Sequence, residues 1–542
     1  MEQPHLQLFD YIVIVAYLSA SVLLCLGIHG KQKTTKDYFF GGGRMRWWAV
    51  AISMFATVFS AISFVSAPGE AYNHGLTMFL GTFAPLLPLP IGLYVFLRFF
   101  YELRVRTSNE YLEWRFSPVM RLISSICYLV IQSVYLGVVL YASAIVMRTV
   151  IGWPLLLSIC LVGVFSLIFA YMGGMTSVVW TDVAQFIVLF GGILLIIGLG
   201  VAKIPGGLVK VISYAAETHH LFNVSVESGF WRLDPKVRIS IWWWLINMPL
   251  AIPGYATNQL QLQRALSSGN FKSIGKSMWG YGLGALPVIF LFYFAGTVIF
   301  TYFRTVGAET LPQNLNGDSA FNYFITTVLP LGMRGLLISG VLAAVISTVD
   351  SVLNSLSTVF VHDIYTPWIA PNRPPEHYLK LARGSTLAFG LMTLITGVLV
   401  VTVFAKGSFP LMEVSEVCLG LFGAVKGGFF ILGLLTRRSN TRGVLTGMGL
   451  AIVYGCYITY FHYLSKPVGQ RISFMLIGLS TNLVAIFGGW LASFLYEKPT
   501  EEQRKLVIWG MFRRIKEGTL PVRVSEADSV VGKTTAQPAE GK

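Results

Sequence analysis

The chain has 542 residues, 54% of them hydrophobic and 12% charged, with a mean hydropathy of +0.66. That balance excludes an ordinary soluble domain and points to a polytopic membrane protein seated in a lipid bilayer. The formal net charge of +15 would suit nucleic acid, but its distribution along the chain argues against that partner.

Apolar stretches long enough to cross a bilayer, roughly 20 residues each, recur along almost the whole chain. Thirteen are placed, near 8–29, 46–73, 76–100, 117–150, 153–172, 177–202, 238–267, 273–303, 319–365, 378–404, 410–436, 442–464 and 471–497. The start "MEQPHLQLFD" has no basic n-region, so the first span is expected to be retained. With the N-terminus outside, 28 of the 40 Lys and Arg fall in the inside loops 31–46, 98–121, 264–276, 373–383 and 437–442 and in the tail after 497. That asymmetry is the positive-inside signature, so the charge reads as topology in a plasma or inner membrane, with a cytoplasmic C-terminus. The Gly-rich "GGGR" at 41–44 follows a charged loop and not a strand, so it is not read as a phosphate cradle.

The second span reads "ISMFATVFSAISFVSAPGEAY", with hydroxyl residues through its middle and Pro68–Gly69 near one end. The seventh reads "WWWLINMPLAIPGYATNQLQLQR" and is interrupted by Pro249, Pro253 and Gly254. Two broken helices in matching positions of two halves point to an inverted-repeat transporter with a midplane site. Unwound backbone is tolerated at that depth where it lines a cavity.

The ninth span ends in "VISTVDSVLNSLSTVFVHDIY". On a helix, Ala344, Ser347, Thr348 and Ser351 share one face, and Asp350 lies at its edge. Hydroxyl and carbonyl oxygens suit a hard cation. The competing reading is that these hydroxyls bond back to their own helix carbonyls. A second carboxylate, Asp182 in "YMGGMTSVVWTDVAQF", sits at a depth where it could approach Asp350. Two close carboxylates would not both stay ionised without a cation or a shared proton.

The stretches "DYFFGGGRMRWW", "GGMTSVVWTDVAQ", "NQLQLQR" and "STVDSVLNSLSTVFVHDIY" occur in order, and with them the chain resembles the sodium:solute symporter family over about residues 8–497. The resemblance implies an all-α, LeuT-type fold: a five-plus-five inverted repeat, about 46–202 and 238–436, with flanking helices inside a transmembrane domain 1–497. It implies a main Na+ site from the carbonyls of Ala56, Phe59 and Ala344 and the side chains of Ser347 and Thr348. Some relatives have a second sodium position, here Asp182, Asp350, Ser351 and the Ser347 carbonyl; Asp350 stands where those relatives have Ser or Thr. The implied substrate site is Thr57, Ser60 and Ser63 with Thr82, Gln132, Tyr135, Tyr255, Asn258 and Phe422 opposite. Sugar-transporting relatives carry Glu at the Thr82 position and sialic-acid relatives carry Arg at the Tyr135 position. The stretches "SAISFVSAPGEAY", "TSNEYLEWRF" and "QSVYLGVVLYASA" are more similar to the branch that moves iodide, monocarboxylates and vitamins.

Lys426, in "LFGAVKGGFF", is an intramembrane cation and hence a functional candidate. Either it meets an anionic substrate, or it snorkels to the cytoplasm or pairs with a carboxylate such as Asp182. The tail 498–542 is expected to be cytoplasmic, with "KLVIWGMFRRIKEG" amphipathic on the membrane face and the last residues disordered. The five cysteines lack metal or disulfide spacing and read as free, buried thiols. Asn223, in "NVS", is a glycosylation acceptor only in a glycosylating source.

These features predict a sodium-coupled symporter of a small organic solute or anion, with no obligate protein partner. Proton coupling or a neutral sugar or amino-acid substrate stay open as alternatives. Asp182 with Asp350 is the one candidate dyad for an intramembrane hydrolase, so enzymatic chemistry is not expected. A channel would want a continuous polar pore, and a sensor would want a larger tail.

Overall fold

The computed structural model describes residues 6–28, 34–307, 317–404 and 411–519. Among them the fold is all helical, and ten helices are long and apolar enough to cross a membrane, or eleven if one bent pair counts as a span. Length and composition thus stop short of the expected thirteen, for a physical reason. The seventh expected span is cut into pieces too short to pass, and the described apolar part of the eleventh is Val425–Leu435.

The bent pair is α1 (Trp47–Val58) and α2 (Ala61–His74), which meet at 68°. Phe59 leaves the helical region at φ −85°, ψ 79°, and Ser60 is extended at φ −78°, ψ 175°. The last carbonyls of α1 therefore lose their partners further along the chain, as at any helix C-terminus. The second break lies in the seventh span, where α3 (Ile241–Ala251), α4 (Gly254–Thr257) and α5 (Gln259–Ser267) follow one another. Pro253 cannot donate a helical hydrogen bond, and extended Asn258 restarts the helix by accepting from the Leu260 N–H at 3.1 Å.

Around the breaks stand α6 (Pro118–Ile151), α7 (Met175–Lys203), α8 (Phe271–Thr305) and α9 (Met333–Val359). Helix α9 is the centre of the bundle: 94% of its most apolar window is buried. Its N-terminus is capped from another helix, because Asp10 of the first span accepts the Gly332 and Gly335 N–H groups at 2.7 and 3.0 Å. A carboxylate at that end also meets the favourable pole of the helix dipole.

Small residues set how closely the helices approach, as expected where lipid removes the hydrophobic drive between them. A Cβ on Gly296 of α8 would lie 2.0 Å from the Pro68 carbonyl of α2. Likewise α10 (Leu411–Leu435) crosses α11 (Phe474–Ala492) with Gly420 against Gly478.

The five cysteines are free, but only Cys25 is buried, while Cys160 and Cys456 are exposed. An apolar span can turn such a side chain outward, so burial did not follow from sitting in a span. The segment 505–518 does not form one amphipathic helix. Leu506, Val507 and Met511 are buried, the Leu506 carbonyl accepts from Tyr111 at 2.8 Å, and Trp509 donates to the Leu435 carbonyl at 2.6 Å. The stretch 526–542, expected to be disordered, lies outside the described residues.

Candidate ion and substrate site

Helix α9 lays its hydroxyl face against the end of α1. Ser347 Oγ is 3.0 Å from the Ala56 carbonyl oxygen and 3.1 Å from that of Ala344. Thr348 Oγ1 is 2.9 Å from the Ala344 carbonyl and 3.4 Å from that of Thr57. Ser347 and Thr348 are buried, so this is a dry cluster of neutral oxygens from two elements. Back-bonding to Ala344 does occur, yet each hydroxyl also reaches the broken helix, which a purely local role would not require. Phe59 forms the turn itself, and its N–H bonds to the Phe55 carbonyl at 2.8 Å. The donor set is all oxygen, which fits a hard monovalent or divalent cation.

The other polar residues of that stretch have structural partners. Asn354 and Thr358 both accept from Gln263 Nε2, at 2.8 and 2.9 Å. Ser355 meets the Tyr128 hydroxyl at 2.6 Å, and Ser357 donates to the Ala382 carbonyl at 2.8 Å. Asp363 accepts from Arg121, Thr107 and Asn109.

Asp182 of α7 meets α1 at Ser53, one turn along α1 from the first cluster. Ser53 donates to it at 2.5 Å, and Arg264 of α5 sits 3.6 Å from the same carboxylate oxygen. The Arg264 guanidinium also donates to Ser53 Oγ at 3.0 Å and hydrogen-bonds Ser351 Oγ. Ser351 in turn touches Thr57 at 3.1 Å and Asp350 at 3.3 Å. The expected second set is thus brought together: Asp350 lies within electrostatic reach of both Asp182 and Arg264. Arg264 itself was missed at the level of sequence. It was counted as an inside-loop charge, but it is buried to 1% exposure. The signal was its place at the end of "NQLQLQR", still inside the broken span.

The substrate residues divide. Ser60 is buried beside the helix break and faces Tyr135, and Gln132 lies one turn from Tyr135 on α6 with a buried, unpartnered Oε1. Ser63 is half-buried and Asn258 is exposed at the second break. Thr57 is committed to the Ser53 carbonyl at 2.8 Å, and Thr82 to the Phe79 carbonyl at 2.7 Å. Tyr255 turns away: its hydroxyl donates to the Pro85 carbonyl and its ring packs on Gly92. The Phe422 side chain lies outside the described residues. Lys426 is buried at 8% exposure and pairs with neither Asp182 nor any other described carboxylate. Its Nζ stands 4.3 Å from the centre of the Tyr128 ring and 5.6 Å from that of Phe430, a cation–π seat.

Arg238 ties α2 to α10. Arg238 donates to both oxygens of Glu70, at 2.5 and 2.8 Å, and to Glu413 at 3.0 Å, while Tyr463 donates to the other Glu413 oxygen.

Residues 38–450 match the model of the sodium:solute symporter family. The chain belongs to that family. It is 28% identical over 461 residues to the sodium/sialic acid symporter SiaT of Proteus mirabilis (strain HI4320), covering 84% of this chain and 91% of that one. It is 30% identical over 465 residues to the sodium-dependent multivitamin transporter of Oryctolagus cuniculus, covering 83% and 70%. Among solved structures, a substrate-bound, outward-open Na+-coupled sialic acid symporter superposes with a TM-score of 0.80 at 27% identity, over 91% of this chain and 99% of that one. The chain is therefore a sodium-coupled symporter of the LeuT-type fold, and Na+ is its coupling ion.

Proposed function

We propose that the coupling Na+ binds among the carbonyls of Ala56, Phe59 and Ala344 and the hydroxyls of Ser347 and Thr348. The contact of both hydroxyls with carbonyls at the end of α1 carries this reading. A cation there ties the hinge of the broken helix to α9. Because it binds well only when hinge and α9 are together, it shifts the protein toward that state; equal affinity for both states would shift nothing. The substrate then occupies the space bounded by Ser60, Ser63, Gln132, Tyr135 and Asn258. Alternating access carries both to the cytoplasm, with the N-terminus outside and the basic loops inside.

The substrate we assign is a small polar organic solute bearing an anionic group. Lys426 supports it, as a buried cation seated on the Tyr128 and Phe430 rings with no ion-paired carboxylate among the described residues and Asp363 within electrostatic reach; the named relatives carry sialic acid and vitamins. Asp182, Asp350, Ser351 and the Ser347 carbonyl form a second candidate cation position. Arg264 counters only one of its two carboxylate charges, but it also holds Ser351 Oγ, so a second sodium that uses this hydroxyl requires the guanidinium to withdraw from Ser351. Uptake into proteoliposomes with and without an inward sodium gradient tests the assignment, with Ser347→Ala as the control that should lose the sodium response.

A further inference from the structure

The end of α2 and the loop that precedes α3 enclose a cavity of about 330 Å3 that the site above does not include. Small-molecule sites run to roughly 300–1,000 Å3. Hydrogen bonds fix its walls. The Leu76 N–H donates to the Leu221 carbonyl at 2.6 Å, and the Asn223 N–H donates to Thr77 Oγ1 at 2.9 Å. A Cβ on Gly75, at φ +72°, would lie 2.5 Å from the His220 carbonyl oxygen, so loop and helix end meet backbone to backbone. The His220 ring stacks on Phe300 of α8, with centroids 3.6 Å apart. On the far wall the Ile241 N–H donates to the Phe230 carbonyl at 3.0 Å, and Ser473 Oγ donates to the Arg238 carbonyl at 2.7 Å.

The walls present donors and no acid. Among the described residues that line the cavity, Arg238 carries the one fixed charge and none is a carboxylate. A guanidinium has five N–H groups, and three of them are engaged with Glu70 and Glu413. Two remain. The Arg238 side chain is 28% exposed, whereas those of Glu70 and Glu413 are 4% and 12% exposed, so the carboxylates lie behind the cation as met from the cavity. Beside it stand the imidazoles of His74, His219 and His220 and the amides of Asn73 and Asn223. His219 is held at φ 59°, a left-handed backbone uncommon in a residue with a bulky side chain. Outliers of this kind cluster at ligand sites. Donors grouped around a cation suit a carboxylate or another oxyanion.

We infer that this cavity is a second binding site, for a small organic anion whose carboxylate meets Arg238 and whose polar body meets the amides and imidazoles. It is separate from the solute space at the helix break, because His74 ends α2, about 20 Å beyond Ser60 at 1.5 Å per residue. The topology proposed above puts it on the outer face. Arg238 ties α2 to α10, so the occupant and the two carboxylates compete for one guanidinium. Anion binding here loosens that tie, and removing one carboxylate strengthens anion binding.

The test is isothermal titration of the purified protein in sodium-free choline buffer, which keeps sodium-dependent binding at the helix break out of the measurement. The probes are two carboxylates, each with an uncharged counterpart of the same body: sialic acid with its methyl ester, and pantothenate with pantothenol. The expected result is saturable binding of at least one carboxylate, with its counterpart at least tenfold weaker. Asn73→Trp fills the cavity from an exposed position and leaves the Arg238 bonds in place. It should raise the Kd of that carboxylate at least tenfold, with circular dichroism as the folding check. Glu413→Gln removes one competitor for the guanidinium and should lower the Kd at least threefold. Absence of carboxylate binding in choline, or equal binding of the uncharged counterpart, would overturn the inference. So would an unchanged Kd in folded Asn73→Trp or in folded Glu413→Gln. The sodium-site reading is judged separately, by the sodium affinity of Ser347→Ala; it can stand while this inference falls.

Discussion

Ser347 Oγ of the central helix lies 3.0 Å from the carbonyl of Ala56, where the broken helix stops. That contact joins a rigid, buried element to a hinge, and it does so with atoms whose shared preference is a small hard cation. Removing either hydroxyl should weaken the ion without unfolding the protein, since each is one contact among many along α9. Ser347→Ala and Thr348→Ala should each raise the half-saturating sodium at least tenfold, about 1.4 kcal/mol of binding. Isothermal titration of sodium, with circular dichroism as the folding check, measures both.

Arg264 and Asp182 form a buried pair, and breaking it leaves either Arg264 with Asp350 alone or two carboxylates without their cation. Asp182→Asn should lower the unfolding temperature in detergent by an amount equivalent to about 3–5 kcal/mol. Arg264→Gln should do the same, and the double variant should cost less than the two single changes together. Additive losses would show that the two groups do not act as a pair.

The same guanidinium bears on stoichiometry. While it holds Ser351 and Asp182, uptake should rise with sodium at a Hill coefficient of about 1. Arg264→Gln, if it still reaches the membrane, should free the carboxylates for a cation and steepen the curve. A coefficient near 2 in wild type would mean that the guanidinium moves aside during transport.

Gly296 allows α8 to pass against the Pro68 carbonyl, with room for no side chain. Gly296→Ala should push α2 away and cost about 1–3 kcal/mol. Because α2 is one half of the broken helix, sodium affinity should fall along with thermal stability.

The Arg238 clamp on Glu70 and Glu413 is bidentate on one side. Arg238→Lys keeps the charge but not the fork. It should raise the rate at which a cysteine placed at Ser63 is labelled from that face. An unchanged labelling rate would show that the clamp does not close the path.

Part of this candidate site is legible in the residues: hydroxyls at helical spacing in an apolar span single out Ser347 and Thr348. The carbonyl of Ala56 came only with the family resemblance, because the helix breaks at Phe59 and Ser60 and not at Pro68 and Gly69. Arg264 was hidden because charge counting assigns a terminal Arg to the nearest loop. Its burial depends on Ser53, Asp182 and Ser351, which come from three other helices. Tyr255 is a substrate contact only by what the family resemblance implies. It is turned instead onto Pro85 and Gly92, and no local pattern in the chain could give that direction.

The most direct test of the central claim is uptake by proteoliposomes holding wild type or Ser347→Ala, with an inward gradient of sodium or of choline, using the solute that wild type accumulates. The account predicts accumulation in wild type only with sodium, and a sodium-dependent component cut to a small fraction at the same sodium concentration in Ser347→Ala protein that is folded and inserted. Equal sodium-driven accumulation by the variant would contradict it and place the coupling ion elsewhere.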